Sequence, residues 1–139
     1  YCAGTGFAVF ELAGRKCGLS ICYDIEFPEV ARDMKRRGVE VIFVPTANME
    51  PYYEVPTTLV RARALESGIA VVYANLSGSE GDQHYTGMSA VVLPDGKDLM
   101  GAGGDSCILI GDLAPGLGRN DILPFSSQMQ DLNSTRRNF

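Results

Sequence analysis

Apolar residues along this chain fall into short runs separated by polar turns. Phe7 to Leu12 (FAVFEL) is the first run and Cys17 to Tyr23 (CGLSICY) the second. The polar stretch Ala13-Gly14-Arg15-Lys16 between them predicts a hairpin. From Glu26 the period becomes helical, with Pro28 in the first turn, where its missing N–H costs nothing. Val30, Ala31 and Met34 mark the apolar stripe of this helix, and Arg32, Lys35, Arg36 and Arg37 its wet side. Gly38 ends it. Glu26 and Glu29 lie at the positive end and the basic cluster at the negative end, as the macrodipole favours.

Val39 to Pro45 (VEVIFVP) predicts a strand, and Thr46 to Tyr53 a loop rich in Asn, Pro and Tyr. Thr57 to Ser67 predicts a second helix that packs through Leu59, Ala62 and Leu65 and stops at Gly68. Ile69 to Leu76 (IAVVYANL) is nearly all apolar, the mark of a strand buried on both faces. Ser77 to His84 reads as a polar loop. Met88 to Leu93 and Asp98 to Ala102 flank the turn Pro94-Asp95-Gly96-Lys97 and predict a hairpin. Cys107 to Leu113 (CILIGDL) predicts a last strand. The order is then β-β-α-β-α-β-β-β, and its central β-α-β-α-β suits a layered α/β sheet. Both helices would cover one sheet face. The other face is apolar too, so its cover is expected from upstream sequence or another chain. Residues 1–113 read as part of a domain and 114–139 as a C-terminal tail, polar from 126 onward.

With 45% hydrophobic and 21% charged residues, the 139-residue chain reads as globular. Twelve Lys plus Arg against seventeen Asp plus Glu leave a net charge of −5. A nucleic-acid partner would want a basic face instead. No apolar run approaches the ~20 residues that span a bilayer, and the first residues lack the pattern of a signal peptide. The chain opens on Tyr1, so upstream sequence is expected. Of the four cysteines, Cys17 and Cys22 lie five apart on what reads as one strand, roughly 16 Å at about 3.3 Å per residue. A disulfide needs Cα atoms within about 7 Å. The cysteines therefore read as free thiols in a reducing compartment, the cytoplasm. With no Cys-x-x-Cys pair, no zinc site is expected.

The stretch most able to do chemistry is Gly18 to Glu29 (GLSICYDIEFPE). A strand ends near Cys22 and a helix begins about four residues on. Ligands of α/β sheets gather at such strand ends. A turn N–H and a helix N-terminus there stabilise a thiolate or an oxyanion. From the residues alone, Cys22 is either a nucleophile or a small buried filler.

Beyond that stretch, Cys22-Tyr23-Asp24, with Glu26-Phe27-Pro28-Glu29 and Arg32, resembles the nucleophile signature of the nitrilase superfamily of carbon–nitrogen hydrolases. Further blocks follow in order: Val44-Pro45-Thr46-Ala47-Asn48-Met49, Arg61 to Glu66 (RARALE), Tyr73-Ala74-Asn75, Tyr85-Thr86-Gly87-Met88-Ser89 and Pro94-Asp95-Gly96. They are most similar to the aliphatic and stereoselective amidase branch, and the resemblance runs from about Phe7 to Leu113. It implies the C-terminal half of a four-layer αββα sandwich. It also implies a Glu-Lys-Cys triad acting through a thioester acyl-enzyme on a small amide, with no metal or organic cofactor. Cys22 takes the nucleophile's place and the Tyr23 backbone N–H an oxyanion-hole place. The family's Glu and Lys lie upstream of the cysteine, whereas only Glu11, Arg15 and Lys16 precede Cys22 as charged residues here. The resemblance therefore implies that the chain is incompetent alone and pairs with an N-terminal half. A homo-oligomer is expected for the parent.

Asn48, Met49, Tyr52 and Tyr53 sit in the loop after a strand, where pocket residues gather. They read either as substrate-binding or as subunit contacts. Asp24 reads either as a turn or helix-capping residue or as a catalytic one. Glu29 with Arg32 suggests an ion pair, and Arg61, Arg63 and Glu66 further structural pairs. Asn75 reads as satisfying loop backbone. The sole histidine, His84, reads as a surface residue, with a Cys22–His84 dyad as the alternative. Three functions are weighed: an amidase-type hydrolase, a non-catalytic half or binding module, and a nitrilase or acyl transferase of the same superfamily.

Overall fold

A computed structural model describes residues 6–117. Ala8–Leu12 (β1) and Arg15–Leu19 (β2) form the first hairpin, and a 3₁₀ turn, Cys22–Glu26, leads into Pro28–Arg36 (α1). Val41–Thr46 (β3) follows, then a wide helical turn, Val55–Leu59, that runs into Val60–Ser67 (α2). Ala70–Asn75 (β4) is succeeded by Ser77–Glu80 (β5), Gln83–Thr86 (β6), Ala90–Val92 (β7) and Asp98–Gly101 (β8). A single helical turn, Ala114–Leu117 (α3), comes last.

Six strands make one sheet in the order β1-β2-β3-β4-β7-β8, and β5-β6 stand apart as a hairpin. β2, β3 and β4 run parallel, and the rest pair antiparallel. The register Gly18↔Ile42↔Val71↔Val92 sets one row of the helix-covered face. Ile42, Val44, Val71, Tyr73 and Val92 join Val30, Ala31 and Met34 of α1 and Val60 and Ala64 of α2 in the main core. A Cβ at Gly18 would meet Met34 Sδ at 2.7 Å, so glycine there lets α1 lie close on β2. Gly68 takes the left-handed conformation (φ 60°) that ends α2, as glycine favours.

The opposite face carries Phe10, Cys17, Val41, Phe43, Ala70 and Val72 in the alternate register. Cys17, Val41 and Ala70 are buried there, packed by Leu113 and Leu117. Phe10, stacked on Phe43 at 6.2 Å, is exposed, as is Leu12. The expected uncovered face is thus present among the described residues, with one corner closed by Leu113 and by Leu117 of the expected tail. The tail beyond Leu117 lies outside the described residues.

Four elements differ from the sequence reading. β2 ends at Leu19, so Cys22 sits beyond the strand and not on it. The buried stripe of α2 is Val60, Arg63, Ala64 and Ser67, while Leu65 is exposed. A polar side chain, Arg63, occupies a core position, which hides that stripe from any apolar count. Ser77 to Thr86 forms the β5-β6 hairpin, held by its backbone ladder rather than by apolar alternation. Cys107 to Leu113 forms no strand, and Ile108 and Ile110 are 86% and 90% exposed. A strand needs a neighbouring edge to pair with, and this run pairs with none among the described residues, although Leu113 at its end packs on the open face.

Candidate active site

Ser20 extends the β2 ladder by one bond, its N–H donating to Phe43 O at 3.0 Å. The chain then breaks away. Ile21 is extended, and Cys22 adopts φ 50°, a left-handed conformation that costs a non-glycine residue of order 1 kcal/mol. The turn that follows is closed at both ends. Asp24 N–H donates to Ile21 O at 3.1 Å, and Asp24 Oδ2 accepts from Ile21 N–H at 3.0 Å. Of the two roles open to it, Asp24 takes the capping one. Tyr23 lies in the first turn, where helix N–H groups have no carbonyl one turn back.

From below, Arg63 of α2 holds this turn. Its Nε donates to Ile25 O at 3.1 Å and its Nη2 to Glu26 O at 2.5 Å, while Nη1 pairs with Glu66 at 3.1 Å. Glu66 also receives Arg32 at 3.5 Å, in place of the expected Glu29–Arg32 pair. Arg61 pairs with Asp98 of β8 at 2.5 Å. One buried guanidinium thus ties the Cys22 turn to α2, and Glu66 ties α2 to α1.

A cleft of about 460 Å³ opens above the turn, lined by Cys22, Tyr23, Glu26, Ala47, Asn48, Met49, Tyr52 and Glu54. It has two walls, the Cys22 turn and the loop after β3. Of the six residues singled out in the sequence, Cys22, Tyr23, Asn48, Met49 and Tyr52 line it. Tyr53 is not among the lining residues, and its hydroxyl donates to Glu50 at 2.5 Å. Asn48 contributes position more than a free side chain: its Nδ2 donates to Tyr52 O at 2.9 Å and Thr86 Oγ1 at 3.0 Å. Asn75 secures loop backbone as expected, accepting from Asn48 N–H at 2.7 Å. His84 is exposed on β6 and bonds Ser79 at 2.7 Å.

Glu26, Ala47 and Glu54 are the lining residues not singled out in the sequence, and the two carboxylates among them matter most. Burial pushes the Glu26 carboxyl up, the Glu54 charge adds to the shift, and Arg63 opposes it. Glu26 follows Cys22 by four residues, so a short helical turn places both on one wall, a spacing that could have flagged it. Tyr73, buried in β4, is pushed up to about 12, mainly by burial, with Cys22 and Glu26 adding to the shift. Thr46 opposes it from alongside, but the hydroxyl meets no partner at hydrogen-bonding geometry among the described residues. The lining includes no lysine, and the described residues hold no cluster able to ligate a metal.

The carbon–nitrogen hydrolase family model matches residues 1–121. The chain belongs to the carbon–nitrogen hydrolase family. It is 49% identical over 107 residues to a protein of Pseudomonas protegens named "Hydrolase in pqqF 5'region", covering 77% of this chain and 38% of that protein. It is 40% identical over 103 residues to an (R)-stereoselective amidase of a Pseudomonas species, covering 73% and 38%. A solved structure of a mutant amidase from Nesterenkonia sp. AN1 overlays with a TM-score of 0.80 at 36% identity, covering 99% of this chain and 49% of that one. That amidase carries the acetamide moiety of fluoroacetamide added covalently at its active-site cysteine. The chain is therefore a mixed α/β structure similar to part of a nitrilase-superfamily amidase, and it spans about half, or less, of these relatives.

Proposed function

We propose that this carbon–nitrogen hydrolase chain supplies the nucleophile and one side of the substrate cleft of an amidase. The carrying observation is the placement of Cys22, at the left-handed start of a braced turn, open to a cleft. The covalent adduct on the active-site cysteine of the Nesterenkonia amidase supports the same role here. In this reading the Cys22 thiolate attacks the carbonyl carbon of a small amide. The Tyr23 N–H steadies the oxyanion of the tetrahedral intermediate. The C–N bond then breaks, ammonia leaves with a proton from a general acid, and water hydrolyses the thioester to the carboxylate.

The acid–base glutamate and the lysine come, in this proposal, from an upstream half that also covers the open sheet face. Phe10, Leu12, Phe43 and Val72 on that face support a polypeptide partner. The chain alone is then inactive and tends to pair or aggregate, and the complete protein forms a homo-oligomer. Free Cys17, Cys22 and Cys107 favour a reducing compartment such as the cytoplasm. Iodoacetamide labelling with the upstream half present tests the thiol. Cys22 is expected to react faster than buried Cys17 and exposed Cys107. Equal rates for the three would remove the case for an activated Cys22.

A further inference from the structure

The cleft's second wall is a loop with no strand or helix of its own until Val55, yet five of its residues line the site: Ala47, Asn48, Met49, Tyr52 and Glu54. Its backbone is tied to β6 by the Met49–Tyr85 bridge and by the Glu50 N–H bond to His84 O at 2.9 Å, and at Asn48 it is fixed by two side chains that do not line the cleft. Asn75 Oδ1 accepts from Asn48 N–H at 2.7 Å, and Asn75 Nδ2 lies 3.2 Å from Asn48 O. Both backbone groups of Asn48 thus meet one amide side chain, as they would a neighbouring strand. The same Nδ2 reaches Thr86 Oγ1 at 2.9 Å and Gly87 O at 2.8 Å. Thr86 N–H donates to Asn48 O at 3.0 Å, and Thr86 Oγ1 receives Asn48 Nδ2 at 3.0 Å. Asn48 Nδ2 passes the constraint on to Tyr52 O. Asn48 and Thr86 are both buried, so a lost partner there leaves a polar group without water.

We infer that Asn75 and Thr86 are positioning residues that set which acyl groups the site accepts, by holding the loop wall at a fixed distance from Cys22. The inference rests on the amidase reading of Cys22. The nucleophile turn hangs on Arg63 and the loop wall on Asn75 and Thr86, so the two walls are anchored separately. Releasing the loop moves Asn48, Met49 and Tyr52 and leaves the Cys22 turn in place. A displacement of about 1 Å in a substrate wall can cost as much as ~10²-fold.

Asn75→Asp keeps the shape but turns the Nδ2 donor into an acceptor facing three oxygens. Thr86→Val removes Oγ1, and Thr86→Ser restores it. The test uses the protein with its upstream half and measures kcat and KM for acetamide and for butyramide. Asn75→Asp and Thr86→Val are expected to raise KM for butyramide about tenfold more than for acetamide, with kcat moving less than about threefold. Thr86→Ser should return the wild-type ratio, and iodoacetamide should label Cys22 at the wild-type rate in all three variants. Wild-type turnover with an unchanged KM ratio in folded Asn75→Asp and Thr86→Val overturns the inference alone. A wild-type protein that hydrolyses neither amide overturns the amidase reading and the inference with it.

Discussion

On one face of the sheet, Ile42, Val44, Val71, Tyr73 and Val92 are sealed beneath α1 and α2. On the other face of the same strands, Phe43 and Val72 are half-buried, and Phe10 and Leu12 are 40% and 53% exposed. The two faces are written in the same apolar alphabet. What separates them is their cover among the described residues: two helices for the first face, and Leu113 and Leu117 at one corner of the second. Strand alternation tells which residues share a face. It does not tell what lies across from them.

The contrast can be broken by mutation. Ile42→Ala on the sealed face should cost about 2–5 kcal/mol in urea unfolding. Val72→Ala on the open face should cost less than about 1 kcal/mol in the chain by itself, because its side chain keeps water on one side. The cost should rise once the proposed upstream half is supplied. Equal costs at the two positions without that half would mean that the open face is already covered.

Arg63→Met should destabilise the protein by about 2–3 kcal/mol, since the carbonyls of Ile25 and Glu26 and the Glu66 carboxylate lose their donor. It should also slow iodoacetamide labelling of Cys22, with Arg63→Lys recovering part of both effects. An unchanged labelling rate would mean that the sealed side does not brace the Cys22 turn.

Tyr73 sharpens the comparison by pH. Its folded phenol holds its proton up to about 12, against an ordinary value near 10. The folded protein therefore binds that proton when the unfolded chain has released it. Stability is retained below about pH 10 and falls as pH rises toward 12, by about 2–3 kcal/mol at the top of that window. Tyr73→Phe should abolish this component, read as the difference between the two unfolding curves across pH. At neutral pH the same change should be nearly silent, because the hydroxyl it removes has no partner. Parallel curves up to pH 12 would place the phenol in a wetter site. The smallest effect is expected at the part-exposed Arg15–Glu40 pair, where Glu40→Gln should shift stability by about 1 kcal/mol or less.

Much of this was legible in the sequence, for reasons that also explain the misses. β3 and β4 are dense apolar runs, Gly68 marks the end of α2, and Pro94 to Lys97 mark the β7-β8 turn. Each signal is local. The β5-β6 hairpin was hidden because its strands, Ser77–Glu80 and Gln83–Thr86, have little apolar alternation. Its Gly81-Asp82 turn between two equal segments was the available clue. The buried stripe of α2 was hidden because a guanidinium sits in it, and its partners are backbone carbonyls 37 and 38 residues away. Cys107 to Leu113 misled in the other direction, since its apolar run is real but pairs with no edge among the described residues. At the site, Cys22, Tyr23, Asn48, Met49 and Tyr52 could be singled out from motif and loop position. Glu26 was within reach through its spacing from Cys22, whereas Glu54 and the Asn75–Thr86 brace needed three dimensions, because they depend on which loops meet.

The most direct test of the whole account is mass spectrometry of the acid-quenched reaction of the complete protein with a small amide. The account predicts an acyl mass on the peptide bearing Cys22, released by hydroxylamine as a thioester should be, and no adduct or turnover in folded Cys22→Ala. Amide hydrolysis that survives Cys22→Ala, or an acyl group found on another residue, would contradict it.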